Sequence, residues 1–328
     1  MDNIDSWFSS PIFKGMVSAI TTIGLLIVII NFFSRAIQTI TISYRVSMLG
    51  LPRAGKTALV AAMFGEIFSD PRKDFKPVGP ETISRINQFI EMLDTGTAIA
   101  PTHERDAFIF RFIYYIRRLF VIARIRYEGE VVDFPGEMSE RLFDAEETGM
   151  LRGEGGLFGR EFYSWIISAK AVIFVIDVGH YLSSDRRAFV ARMTSEIRTA
   201  WQLLQEEGSH GFRPGTKRIA LVFTKMDAVR AFSNQNGEDY NKLLSRIAFE
   251  EPFTANMAPS LDGYEELLAE TVQRIKVDFA DLIKFFSARE RYFSIFFVSA
   301  YLRMKGERFG IKELLTFVLP NLRTASEN

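Results

Sequence analysis

Runs of apolar residues recur along the whole chain, and the first is unlike the rest. From Gly15 to Ser34 the sequence GMVSAITTIGLLIVIINFFS carries no charge and is bounded by Lys14 and Arg35. At 1.5 Å per residue such a run covers about 30 Å, the thickness of a hydrocarbon core, and predicts one transmembrane helix over 15–34. Ser18, Thr21, Thr22 and Asn31 are tolerable there because hydroxyls bond back to their own helix, and Trp7, Phe8 and Phe13 form an aromatic edge. A cleaved signal peptide wants a basic start and a small-residue cleavage site, whereas this chain begins with Asp2 and Asp5 and leads into Asn31-Phe32-Phe33. A buried helix of a soluble protein is seldom apolar on every face. Residues 1–14 sum to −1 (Asp2 and Asp5 against Lys14) and residues 35–49 to +2 (Arg35, Arg45). The positive-inside rule then puts the remainder in the cytoplasm, at the inner membrane for a bacterial chain.

Beyond a flank (1–14), this helix and a short linker (35–43), strand-like and helix-like segments alternate, the pattern of a doubly wound α/β domain over 44–320, with a tail at 321–328. Strands are predicted at Tyr44 to Leu49, Ala107 to Ile116, Leu119 to Tyr127 running towards Val132, Ala171 to Val178, Arg218 to Phe223 and Tyr292 to Val298. Several are continuous apolar runs, as in strands covered on both faces. Helices are predicted at Thr57 to Phe68, Arg186 to Glu207, Asp262 to Ser287 and Ile311 to Leu319. Three stretches, near 70–106, 137–165 and 228–262, exceed what a minimal α/β unit needs and are read as insertions.

Composition narrows the chemistry. Of 328 residues 48% are hydrophobic and 24% charged, enough to bury a core and too apolar for a disordered chain. Forty basic residues balance forty acidic ones, so no global positive field holds a nucleic acid. There is no Cys and only three His, far apart, which removes thiolate chemistry and makes a zinc centre improbable.

The first predicted strand runs into Gly50-Leu51-Pro52-Arg53-Ala54-Gly55-Lys56-Thr57, a G-x-x-x-x-G-K-[ST] loop followed by a helical pattern. Gly50 and Gly55 let the backbone curl so that successive N–H groups point at phosphates, and the helix adds the positive end of its dipole. Lys56 supplies an ammonium to the β- and γ-phosphates, and Thr57 a hydroxyl to Mg²⁺. Pro52, Arg53, Ala54 and Ala58 complete the nucleotide-binding stretch; Pro52 removes one donor and Arg53 adds a charge at the rim. Asp133-Phe134-Pro135-Gly136 fits D-x-x-G, in which Asp133 holds the metal through water and the Gly136 N–H senses the γ-phosphate. Thr224-Lys225-Met226-Asp227 ends a buried strand as [NT]-K-x-D. One carboxylate, Asp227, accepts both the N1–H and the N2 amine of guanine, whereas adenine presents an acceptor at the equivalent ring nitrogen. Lys225 lays its stem over the purine, Thr224 ties this loop to the phosphate loop, and Ser299-Ala300 offers the Ala300 N–H to guanine O6.

In this order and at these strand ends the four motifs resemble the Ras-like, translation-factor-related P-loop GTPases over about residues 44–320. The resemblance implies a three-layer α/β domain with a mostly parallel six-stranded sheet, the nucleotide at the carboxyl ends of its strands, and GTP or GDP with Mg²⁺ as cofactors. The spelling GLPRAGKT with DFPGE is similar to bacterial YcjX-like proteins, and an anchor followed at once by such a domain is similar in layout to the signal-recognition-particle receptor β subunit.

Two positions depart from that pattern. Glu137 stands where Ras proteins carry the Gln that orients the attacking water, so turnover is expected to be slow or to need a partner's arginine. The switch threonine that binds Mg²⁺ has no unique match: Thr102 is the choice, with Thr95 and Thr97 as alternatives, and 70–106 reads as an enlarged switch. Arg152 and Arg160 lie in a Gly-rich stretch that reads as a flexible loop before an in-cis arginine supply. The expected activity is that of a membrane-anchored switch that hydrolyses GTP and recruits a protein partner, with Lys56, Thr102 and Glu137 as its catalytic groups and Thr57, Thr102 and Asp133 as its metal ligands. The competing reading is a GTP-holding receptor or scaffold with little hydrolysis.

Overall fold

The carboxyl ends of the central strands converge on one edge of a seven-stranded sheet. In this computed structural model residues 11–37, 40–68, 75–99, 108–117, 124–134, 136, 139, 164–207, 216–229, 264–304 and 306–319 are described. In chain order the elements are α1 (Pro11–Ile37), β1 (Ile40–Gly50), α2 (Lys56–Phe68), β2 (Phe75–Pro77), α3 (Pro80–Asp94), β3 (Phe108–Arg117), β4 (Arg124–Asp133), β5 (Ala171–Asp177), α4 (Val178–Ser183), α5 (Arg186–Glu207), β6 (Arg218–Thr224), α6 (Tyr264–Asp278), α7 (Ala280–Arg289), β7 (Tyr292–Phe297), β8 (Arg303–Met304), β9 (Glu307–Arg308) and α8 (Ile311–Val318).

The chain divides into two units. The first holds residues 1–42 and 115–127, and α1 dominates it. Within α1 the Thr21 and Thr22 hydroxyls donate to the Val17 and Ser18 carbonyls at 2.7 and 2.8 Å. The expected membrane span is corrected here. Among the described residues no helix is long and apolar enough to cross a membrane. The transmembrane helix over 15–34 and the single-pass location and orientation built on it fall with it. Of the stretch expected as linker, residues 35–37 belong to α1 and 40–43 to β1.

The second unit, 43–114 and 128–328, carries the sheet in the order β2-β3-β4-β1-β5-β6-β7. β1, β5, β6 and β7 run parallel, with Gly50 beside Val175, Asp177 beside Thr224 and Phe223 beside Phe297. β5 and β6 are buried almost throughout, which is why both read as unbroken apolar runs. The expected six strands are therefore seven. The addition is β2, antiparallel to β3 through the pairs Phe75 with Tyr114 and Pro77 with Phe112. Phe75 stacks on Phe112 with ring centroids 4.7 Å apart, so burial of one aromatic holds this short strand, and Pro77 sits on an edge where a missing donor costs little.

On one face Phe174, Ile176, Leu221 and Phe223 pack against Trp201, Leu204, Phe279 and Phe286 of the helical layer. Each such side chain contributes roughly 1.5–3 kcal/mol of burial. α2 packs against both α3 and α8, and Leu59, Phe64, Ile86 and Leu315 are buried there. Two expectations about helices change. The predicted helix 262–287 is two, α6 and α7, broken at Phe279, whose φ of −93° and ψ of 15° turn its ring onto Tyr181 and Phe223. Moreover, the insertion 70–106 holds a regular helix. Gly79, at φ 92°, turns the chain into α3, Pro80 opens it, and Ile86 and Leu93 anchor it.

Candidate functional site

The phosphate-loop residues leave β1 and enter α2 without an intervening element. A Cβ on Gly50 would lie 2.8 Å from the Val175 carbonyl oxygen, so the strand end needs glycine for close packing against β5. Gly55 has φ 82° and Arg53 φ 62°, two left-handed turns that curl the loop, the second borne by a residue for which it is strained. Lys56 is buried, and its Nζ donates to the carbonyls of Gly50 and Leu51 at 2.9 and 3.0 Å. The loop is closed by the Ala54 N–H donating to Leu51 at 3.3 Å and the Leu59 N–H donating to Gly55 at 2.8 Å. Arg53 is exposed, whereas Pro52, Thr57 and Ala58 are half-buried.

Asp133, at the end of β4, is buried and accepts from the Thr57 hydroxyl at 2.6 Å. A hydroxyl and a carboxylate held together offer hard oxygen donors, the set that suits a small divalent cation such as Mg²⁺ when phosphate oxygens and water complete the shell. Gly136 presses on the loop: a Cβ there would stand 2.2 Å from Pro52 Cα.

β6 delivers the next group. The Thr224 hydroxyl, buried, lies 2.7 Å from the Ala54 carbonyl and 3.2 Å from that of Ile176, bridging β6 to the phosphate loop. Lys225 has φ 59°, and a Cβ on Gly55 would meet its Cε at 3.7 Å, so its stem passes beside that glycine. Its Nζ reaches the Asp177 carboxylate at 2.6 Å. Asp227 is half-buried and accepts from the Ser299 hydroxyl through its Oδ1. Burial raises the Asp227 carboxyl above its ordinary value, and Asp177 adds to this; the Ser299 bond and Lys225 pull it back. Ser299 is itself held, its Oγ accepting from the N–H groups of Tyr301 and Leu302 at 3.2 and 2.9 Å. Ala300 follows, half-buried, at the carboxyl end of β7.

Gly50 to Ala58, Asp133, Gly136, Thr224, Lys225, Asp227, Ser299 and Ala300 thus lie at or beside the carboxyl ends of β1, β4, β6 and β7. Thr102, Glu137, Arg152 and Arg160 lie outside the described residues. Thr95 and Thr97 follow α3, their hydroxyls 3.0 Å apart and that of Thr95 2.8 Å from the Glu91 carbonyl. Two residues were missed. Asp177 ends β5 as Thr224 ends β6, and that shared position was the signal that could have found it. Arg308 gave none. Both reach the motif residues only through the fold.

No protein-family model matches the chain, and no curated protein does. Among solved structures it is similar to the Arl6 BBS3 small GTPase of Trypanosoma brucei with the nucleotide analogue GppNp bound. The identity is 16%, over 84% of this chain and 95% of that one, with a TM-score of 0.33. At that score the chemistry of the site stands on its own residues.

Proposed function

We propose that the chain binds guanine nucleotide with Mg²⁺ and hydrolyses GTP to GDP and phosphate, acting as a switch whose GTP state engages a protein partner. The observation that carries this reading is the Asp227 carboxylate. It is partly withdrawn from water, oriented by the Ser299 hydroxyl, and joined to the phosphate loop through Thr224 and Ala54. A desolvated, acceptor-only group beside such a loop matches the paired donors of guanine and leaves the ring nitrogen of adenine facing lone pairs.

The loop amides and Lys56 neutralise phosphate charge, and Lys225 covers one purine face while Asp177 holds its ammonium. Thr57 and Asp133 hold Mg²⁺, whose chemistry is to neutralise charge on the phosphate oxygens. Glu137, the expected water-orienting group, and Thr102, the expected switch threonine with Thr95 and Thr97 as alternatives, would complete the site; Glu137 and Thr102 lie outside the described residues. The test is single-turnover hydrolysis of GTP bound to purified protein, followed by chromatography of the nucleotide. Phosphate release that depends on Mg²⁺ is expected. Tight GTP binding with no release, alone or with an added arginine-bearing partner, replaces the enzyme with a GTP-dependent scaffold.

A further inference from the structure

Arg308 ends β9 and is 4% exposed, yet it belongs to none of the motifs. Its guanidinium serves three elements at once. Nε donates to the Ala300 carbonyl at 3.1 Å, Nη2 to Asp94 Oδ1 at the end of α3 at 2.5 Å, and Nη1 stands 3.7 Å from Glu66 Oε1 on α2. The Arg308 backbone N–H donates to the same Glu66 oxygen at 3.0 Å. Space for it is provided by Gly65, where a Cβ would fall 2.7 Å from Nη1. Asp94 is shared with Arg303, whose Nη2 lies 2.6 Å away. A planar fork can meet acceptors in several fixed directions at once, whereas an ammonium on a flexible stem cannot. A guanidinium this far from water is tolerated because two carboxylates and a carbonyl compensate it.

The consequence falls on Ala300. Arg308 takes its carbonyl oxygen, and the N–H across that peptide bond, Tyr301 N, donates to Ser299 Oγ at 3.2 Å. On the other side the Ser299 N–H donates to the Phe309 carbonyl at 3.0 Å. The peptides that precede and follow the Ser299–Ala300 link are therefore both pinned, which fixes the direction of the Ala300 N–H. A second tie joins the same loop to the segment after α3, because the Tyr301 hydroxyl donates to the Thr97 carbonyl at 3.3 Å.

We infer that Arg308 is a positioning residue for base recognition: it aims the Ala300 N–H at guanine O6, and through Asp94 it makes that aim depend on the insertion helix α3. The inference rests on the guanine-nucleotide reading above. It separates two parts of base recognition. Asp227 reads the N1–H and the 2-amino group, and the Arg308 clasp governs only the reading of O6.

Three nucleotides distinguish these parts in the full chain with Mg²⁺. GTP carries every group, ITP lacks the 2-amino group, and 6-thio-GTP replaces O6 by a poorer acceptor while keeping N1–H and the amine. Wild-type protein is expected to prefer GTP over both. In Arg308→Gln and in Arg308→Lys the preference for GTP over 6-thio-GTP is expected to fall about tenfold, the worth of one hydrogen bond, while the preference for GTP over ITP stays as in wild type. Should Arg308→Gln not fold, Arg308→Lys and Asp94→Asn carry the test, the latter with a smaller shift in the same ratio. Equal losses for all three nucleotides, or an unchanged 6-thio-GTP ratio in the folded variants, overturn the assignment of Arg308. Wild-type protein that binds no guanine nucleotide overturns the reading on which it rests.

Discussion

Gly136 and Pro52 are in backbone contact: a Cβ on the glycine would stand 2.2 Å from Pro52 Cα and 2.4 Å from its nitrogen. The D-x-x-G glycine therefore rests on the phosphate loop, and motion at either is felt by the other. Gly136→Ala must push the loop away or displace the residues after Asp133, an overpacking cost of about 1–3 kcal/mol. Titration with a fluorescent GTP analogue should show binding weakened roughly tenfold or more. An affinity equal to wild type would mean that the contact places no constraint on the loop.

Thr57 and Asp133, oxygen to oxygen at 2.6 Å, form the donor pair assigned to the cation. If they hold Mg²⁺, chelation by EDTA speeds nucleotide release from wild-type protein. Asp133→Ala then releases nucleotide quickly whether or not EDTA is present. Stopped-flow release rates check this, and an Asp133→Ala protein that still responds to EDTA like wild type counts against the pair.

Asp227 links function to stability. Its folded-state value is raised by burial, so between the ordinary carboxylate value and the raised one the native state keeps a proton that the unfolded chain releases. Stability therefore falls as pH rises through that window, and at neutral pH the buried carboxyl is a cost to the nucleotide-free fold. Asp227→Asn keeps an oxygen to accept from Ser299 and removes the charge. Its Tm at pH 7 is expected above wild type, by roughly 2–4 °C per kcal/mol relieved, with the difference vanishing in acid. A Tm below wild type at pH 7 would show that the charge stabilises the fold.

Phe279 breaks the long carboxyl-proximal helix to fill a space beside Tyr181 and Phe223, at ring distances of 6.2 and 5.2 Å. Phe279→Ala should cost about 3–5 kcal/mol, read as a lowered denaturant midpoint with an unchanged slope. Loss below about 1 kcal/mol would mean that the neighbouring rings refill the site.

The phosphate loop, Asp133 and the Thr224 to Asp227 run were legible because each imposes a local requirement on the chain: a glycine where the backbone turns, a carboxylate or hydroxyl where a buried strand ends. The β5 and β6 strands were legible for a related reason, since burial on both faces admits almost only apolar residues. α3 was not, although Gly79-Pro80 followed by Ile86, Phe89, Ile90 and Leu93 carries a start signal and a helical stripe. Placed inside an insertion, it was absorbed into an expected switch loop. The six-strand expectation failed because β2 is too short to show a period and exists through the stacking of Phe75 on Phe112. The run from Gly15 was read from its uncharged length, whereas among the described residues no helix is long and apolar enough to cross a membrane. Arg308 owes its place to a tertiary contact with Ala300 that no spacing in the chain encodes, whereas Asp177 carries a signal that was passed over, the end of an apolar strand like that of Thr224.

The central claim is that Asp227 selects guanine, and nucleotide calorimetry on the full chain with Mg²⁺ tests it most directly. GTP is expected to bind at least roughly a hundredfold more tightly than ATP, and Asp227→Asn to transfer that preference towards XTP, whose O2 can accept from the new amide. Equal affinity for ATP and GTP, or no heat with any guanosine nucleotide, would contradict the account.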